Sequence, residues 1–148
     1  MHAMNKYLSG VLIAAITSCN VWAGTVQDER AAREECSAYS QAGMRECLEK
    51  KANASAAELK KAEHKVSKTL AKWDEDTKYI NLARSKLEAS NKEFVRYREA
   101  HCAFNASRSG GAAGNSFEIM RLACVFELNS RRADQIRNAV ADLPLKGL

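Results

Sequence analysis

Cys36, Cys47, Cys102 and Cys124 are the side chains of this 148-residue chain whose chemistry is most constrained by their number and placement. A zinc site is disfavoured, because no CxxC pair and no Cys–His spacing is present. A thiol nucleophile needs a base beside it, yet His64 and His101 stand singly on different segments, with no Asp or Ser set out for a triad. Four free buried thiols would require a reducing compartment. An even set of cysteines in a short exported chain reads instead as two disulfides. No metal ligands, no cofactor and no catalytic residue are expected, and the chain is not read as an enzyme.

Two arginines carry a second signal. Arg98 lies four residues from both Phe94 and Cys102, and Arg132 lies four residues from both Leu128 and Ile136. Both therefore sit beside an apolar helical stripe, where arginine is rare unless paired or hydrogen-bonded. If Cys102 and Cys124 join antiparallel helices, both arginines lie on the same side of the bridge, about 6 and 12 Å away. A structural polar cluster of Arg98, Glu99 and Arg132 is expected, with Glu127 a further local partner. Trp73 and Tyr97 fall at helical spacing and read as core rather than as stacking platforms. Arg108-Ser109-Gly110-Gly111 forms a small exposed loop with a cation and a hydroxyl, either a plain connector or a loop that enters an acidic cleft.

These residues need a scaffold, and the premise of export comes from the N-terminus. Residues 1–23 combine a basic start at Lys6, an apolar run from Leu8 to Ile16 and a small-residue exit at Val21-Trp22-Ala23. That is the layout of a secretory signal peptide, and the run is too short to span a bilayer. Cleavage after Ala23 leaves residues 24–148 as one domain, periplasmic or secreted. Alternatively, Ile16-Thr17-Ser18-Cys19 resembles a bacterial lipobox, which would make the protein an outer-membrane lipoprotein acylated at Cys19. Either route removes Cys19 from the pairing pool, and membrane attachment is expected only through a lipidated Cys19.

The mature segment is expected to be all-α: a small antiparallel helical bundle of three long helices plus a short N-terminal helix, stapled by two disulfides. One proline, seven glycines and no β-branched alternation leave little to interrupt helices. A short helix is expected from Gln27 to Glu35, then a turn over Ser37–Gly43. A second helix from Met44 to Trp73 directs Met44, Leu48, Ala52, Ala56, Leu59, Ala62, Val66, Leu70 and Trp73 inward. Asp74-Glu75-Asp76-Thr77 forms the break and caps the next helix. That helix runs from Thr77 to Asn105, continuous through a capping-box pattern at Ser90, with Ile80, Ala83, Leu87, Phe94, Tyr97 and Cys102 inward. Ser107–Asn115 is a glycine-rich loop. The last helix, Ser116 to Ala141, points Phe117, Met120, Cys124, Leu128, Ile136 and Val140 inward. Antiparallel neighbours with short connections predict the local pairing Cys36–Cys47 and Cys102–Cys124, two other connectivities remaining open.

Loss of Lys6 leaves 22 basic against 18 acidic side chains, a surplus of +4. So small a surplus, spread along whole helices, reads as a solvated surface. It argues against nucleic-acid binding, which needs a clustered basic stripe with aromatics.

Phe94-x-x-Tyr97-Arg98-Glu99-x-x-Cys102, a Gly-Gly loop, and Cys124 followed by Asn129 and Arg132 together resemble the lysozyme-inhibitor LprI N-terminal domain family. Cys36 and Cys47, with Met44 between them, look like that family's first cysteine pair. The resemblance covers about Glu35 to Ile136. Phe94 stands where the family usually has tryptophan and Asn129 where it has threonine, and the family's Leu-Asn-x-x-Tyr block has no clear equivalent near Leu59. The resemblance implies a small secreted helical bundle with a protein partner, a muramidase or a toxin. The leading expectation is an envelope protein that inhibits a lysozyme- or muramidase-type hydrolase. An immunity protein against a secreted toxin and a structural or stress-related envelope module are the alternatives.

Overall fold

Acceptors at two N-termini set where the first helices begin. Asp28 takes the amide of Ala31 on its carboxylate at 2.8 Å, and Ser40 takes that of Gly43 on its hydroxyl at 3.3 Å. From these caps run α1 (Glu29–Cys36) and α2 (Gln41–Ala71), followed by α3 (Thr77–Ser107) and α4 (Asn115–Asn138). The computed structural model describes residues 28–111 and 114–147. The expected signal segment 1–23 and Cys19 lie outside the described residues. Among those residues the chain is all-α, with the expected short helix followed by three long ones. The third helix passes through Ser90 without a break. Asp76 holds the N-cap position of α3, but its carboxylate makes no capping hydrogen bond; its backbone carbonyl receives Tyr79 and Ile80 instead.

Both disulfides take the expected local pairing. Cys36–Cys47 ties α1 to α2 and Cys102–Cys124 ties α3 to α4, with Cα separations of 5.8 and 5.5 Å. Gly43, in the first turn of α2, sits so close to Tyr39 that an added Cβ would lie 2.9 Å from the tyrosine Cβ, which is why that turn carries glycine. Gly110, with φ of 73°, supplies the left-handed residue just past α3.

Helix α4 is the central element, packed against all three others, whereas α2 and α3 meet only sparingly. The core is split in two. One cluster gathers Ala32, Cys36, Leu48, Ala52, Ile119, Leu122 and Ala123 where α1, α2 and α4 meet. The other gathers Leu59, Ala62, Val66, Leu70, Ala133 and Ile136, with Leu87 and Phe94 of α3 laid against it. Beyond α4 the chain returns to the α2–α3 connection. The amide of Lys146 donates to the Lys72 carbonyl at 2.8 Å and that of Asp74 to the Pro144 carbonyl at 2.9 Å.

The expected stripes need correction in three places. On α2 the buried position is Ser55, and Ala56 is exposed. On α3 Tyr97 is exposed, because only a narrow face of that helix touches α4. On α4 Phe117 is exposed while Ile119, Leu122, Ala123, Asn129 and Ala133 are buried. A helix with neighbours on three sides buries a wide arc, and a single stripe underestimates it.

Candidate functional site

Between the two apolar clusters lies a polar seam. Ser55 of α2, Asn129 of α4 and Arg98 of α3 occupy one level of the bundle. Arg98 Nη1 donates to Asn129 Oδ1 at 2.8 Å, and Asn129 Nδ2 donates to Ser55 Oγ at 3.1 Å. The serine hydroxyl in turn donates a hydrogen bond to the Ala52 carbonyl at 2.8 Å. Asn129 is fully buried, so both ends of its amide need partners, and the seam supplies them.

Arg132 lies one step further along the bundle. Its Nη2 donates to Ser90 Oγ at 2.8 Å and to Asn91 Oδ1 at 2.9 Å, and its Nη1 to Gln135 Oε1 at 3.0 Å. Its Nε is buried with no hydrogen-bond partner among the described residues. Burial pulls this guanidinium below its ordinary pKa, and the Glu63 carboxylate works against that pull. Arg98 and Arg132 both lie over the Phe94 ring, at 5.9 and 5.6 Å from its centre. The structure thus brings the two arginines together around an aromatic ring, with amides and hydroxyls as partners. The carboxylates expected there are elsewhere. Glu99 is exposed and forms no ion pair or hydrogen bond among the described residues. Glu127 accepts the Glu29 amide at 3.2 Å and pairs with Arg131 at 2.6 Å.

The second site is a surface. Tyr97, His101, Phe104 and Arg108 recur at intervals of four, three and four, which places them on one face of α3 and its C-cap. Tyr97 is 54% exposed and Phe104 66%, and the Tyr97 and His101 rings stack at 5.3 Å. Arg108 Nη1 donates to Asn105 Oδ1 at 3.1 Å, and Asn105 Nδ2 reaches the Glu29 carboxylate at 2.8 Å. Ser109 donates to the Met120 sulfur at 3.0 Å. Arg108 is therefore the C-cap of α3 rather than the tip of a free loop, and its network holds the start of α1 in place. Gly110 and Gly111 follow it on the exposed surface.

The family model for lysozyme inhibitor LprI matches residues 32–136. The chain belongs to the LprI lysozyme-inhibitor family. No curated protein and no solved structure matches it. The LprI match spans both disulfides, the polar seam and the α3–α4 connection. Seen in the fold, the sequence pattern linking this chain to LprI has physical roles. Phe94 is the ring between two guanidinium groups, Tyr97 is an exposed aromatic, and Arg98 and Asn129 join α3 to α4. Sequence reasoning missed Ser55 in the LprI core. The available signal was a serine three residues after Ala52 and four before Leu59, at core spacing on a helix otherwise lined with apolar residues. It also missed the exposed row on α3, because aromatic residues at helical spacing read as core.

Proposed function

We propose that the mature protein works in the bacterial envelope as a binding protein that inhibits a lysozyme- or muramidase-type peptidoglycan hydrolase. The observation that carries this reading is membership of the LprI lysozyme-inhibitor family. The face of α3 from Tyr97 to Arg108 is the contact surface we assign. Exposed tyrosine and phenylalanine beside an arginine make up the composition that anchors protein interfaces. Glycan hydrolases of this type hold a carboxylate pair in a cleft. A guanidinium carries five N–H donors, and one of those of Arg108 is engaged by Asn105, which fixes the cation without consuming its remaining donors.

Titration of purified muramidases, one basic and one acidic, in a cell-wall lysis assay tests the proposal. Lytic activity should fall to a plateau at one inhibitor per enzyme for at least one of them. Phe104→Ala or Arg108→Ala should weaken inhibition about tenfold or more, as expected of an interface anchor. Inhibition of the acidic enzyme alone would assign the protein to immunity against a delivered toxin. Full lysis by both enzymes at excess protein would overturn the proposal.

A further inference from the structure

The positive surplus of the mature chain is not spread over its helices. Residues 60–72 contain Lys60, Lys61, Lys65, Lys68 and Lys72 against Glu63, a balance of +4, so the rest of the mature chain is neutral. Lys61, Lys65, Lys68 and Lys72 recur at intervals of four, three and four. They share one face of α2 and its C-cap over a rise of about 16 Å. They line a groove of about 760 Å³ together with His64 and with Leu145 of the returning C-terminal segment. Lys61 pairs with Glu58 at 2.7 Å. The side chains of Lys65, Lys68 and Lys72 make no ion pair or hydrogen bond among the described residues.

Like charges three and four residues apart destabilise a helix, so this row works against folding. The helix dipole rewards cations only in the last turn, which accounts for Lys68 and Lys72 but not for Lys61 and Lys65. We infer that the lysine face of α2 docks a linear anionic glycan that carries a carboxylate on its repeating sugars. A straight row of cations on one helix face matches a charged strand laid along the axis. Lysine offers point charges on flexible stems, which adapt to anionic groups spaced along a strand without the fixed bidentate geometry of an arginine fork. Among the described residues no Phe, Tyr or Trp lines the groove, which gives it no platform for stacking the bases of a single-stranded nucleic acid. Among the described residues the large exposed apolar side chains lie outside residues 61–72, which leaves this face without an anchor of its own for insertion into lipid.

The test uses the mature chain on immobilised alginate, a polyuronate, at low salt. A face variant carries Lys61→Gln, Lys65→Gln, Lys68→Gln and Lys72→Gln. A control carries Lys50→Gln, Lys78→Gln, Arg84→Gln and Lys92→Gln, which removes the same charge at exposed positions elsewhere. Circular dichroism melting confirms that each is folded, and Lys61→Gln with Lys65→Gln serves as a milder second variant. The parent and the control should bind and elute with rising salt, whereas the face variant should lose about fivefold in affinity per lysine removed. Equal losses in face variant and control would reduce the effect to net charge and overturn the inference. So would parental binding to phosphatidylglycerol vesicles but not to alginate, or to neither. Muramidase inhibition is not a readout here, so this inference and the proposed function stand or fall separately.

Discussion

Asn129 divides its amide between two helices, accepting from Arg98 and donating to Ser55, and no water can replace either contact at a fully buried site without opening the core. Asn129→Leu keeps the branched heavy-atom skeleton, with bulkier methyl groups, but takes the acceptor from the Arg98 guanidinium and leaves the Ser55 hydroxyl with its Ala52 bond alone. The cost of buried groups left unsatisfied is about 2–3 kcal/mol. Asn129→Thr, the residue more usual in the family pattern, retains a hydroxyl acceptor but is too short for both partners, and should cost about 1 kcal/mol. Denaturant unfolding with an unchanged m-value checks both, and equal losses would show that the Arg98 contact contributes little. A second residue-scale expectation concerns pH. The hydrogen bond from Arg121 holds the Glu118 carboxyl below its usual value of 4.5, against the opposing effect of burial. A depressed carboxylate stabilises the fold above its unfolded value and loses that contribution as pH falls through the folded one. Both side chains are well exposed, so the effect is small, under about 1 kcal/mol. Glu118→Gln should lower the melting temperature slightly at pH 7 and not at all at pH 2–3.

The eight residues of α1 are too few to hold a helix alone, so its order comes from its attachments. These are the Cys36–Cys47 bridge, the burial of Ala32, and the contacts of Glu29 with Asn105 and Glu127. Cys36→Ser with Cys47→Ser opens a closure of 11 residues, and Cys102→Ser with Cys124→Ser one of 22. Chain-entropy arguments give a loss of about 3 kcal/mol for each, the second slightly larger. The two losses should nevertheless differ in kind. The first should free the amides of α1 for hydrogen exchange while α2 to α4 stay protected, whereas the second should lower protection throughout α3 and α4. Uniform deprotection by the first pair would show α1 to be integral to the core. Element identity and the disulfide pairing were legible in the sequence because periodicity and short connections act locally. Helix facing was legible only where a helix has one main neighbour. On α2 the stripe from Leu48 to Leu70 emerges as expected apart from Ser55, whereas on α4 contacts with three helices widen the buried arc past Phe117 to Ile119, Leu122 and Asn129. Arg98 and Arg132 declared themselves as misfits on apolar stripes. Their partners did not, since Asn129, Ser90 and Asn91 come close only through the register between helices.

Across the whole molecule, the register set by Ser55, Asn129 and Arg98 separates two charged regions. Lys61 to Lys72 lie toward one end of the bundle and Arg108 toward the other. Counting rise from the shared level puts roughly 25–40 Å between them along the axis. At about 0.15 M salt the screening length is near 8 Å, so the lysine row contributes almost nothing to the field at Arg108. Under the proposed function, a basic muramidase approaching the Tyr97–Arg108 face in those conditions meets Arg98 and Arg108 against Glu99, and the distant lysine row adds no further repulsion. At about 0.01 M salt the screening length grows to near 30 Å and the two ends become one electrostatic object. The variant with Lys61, Lys65, Lys68 and Lys72 all changed to Gln should therefore inhibit a basic enzyme as well as its parent does near physiological salt. At low salt it should associate faster than the parent, with dissociation unchanged, because long-range repulsion acts on encounter rather than on the formed complex. Stopped-flow association rates across a salt series provide the measurement. A variant that inhibits less well than its parent at 0.15 M would place the lysine row inside the inhibitory contact and move the interface from α3 to α2.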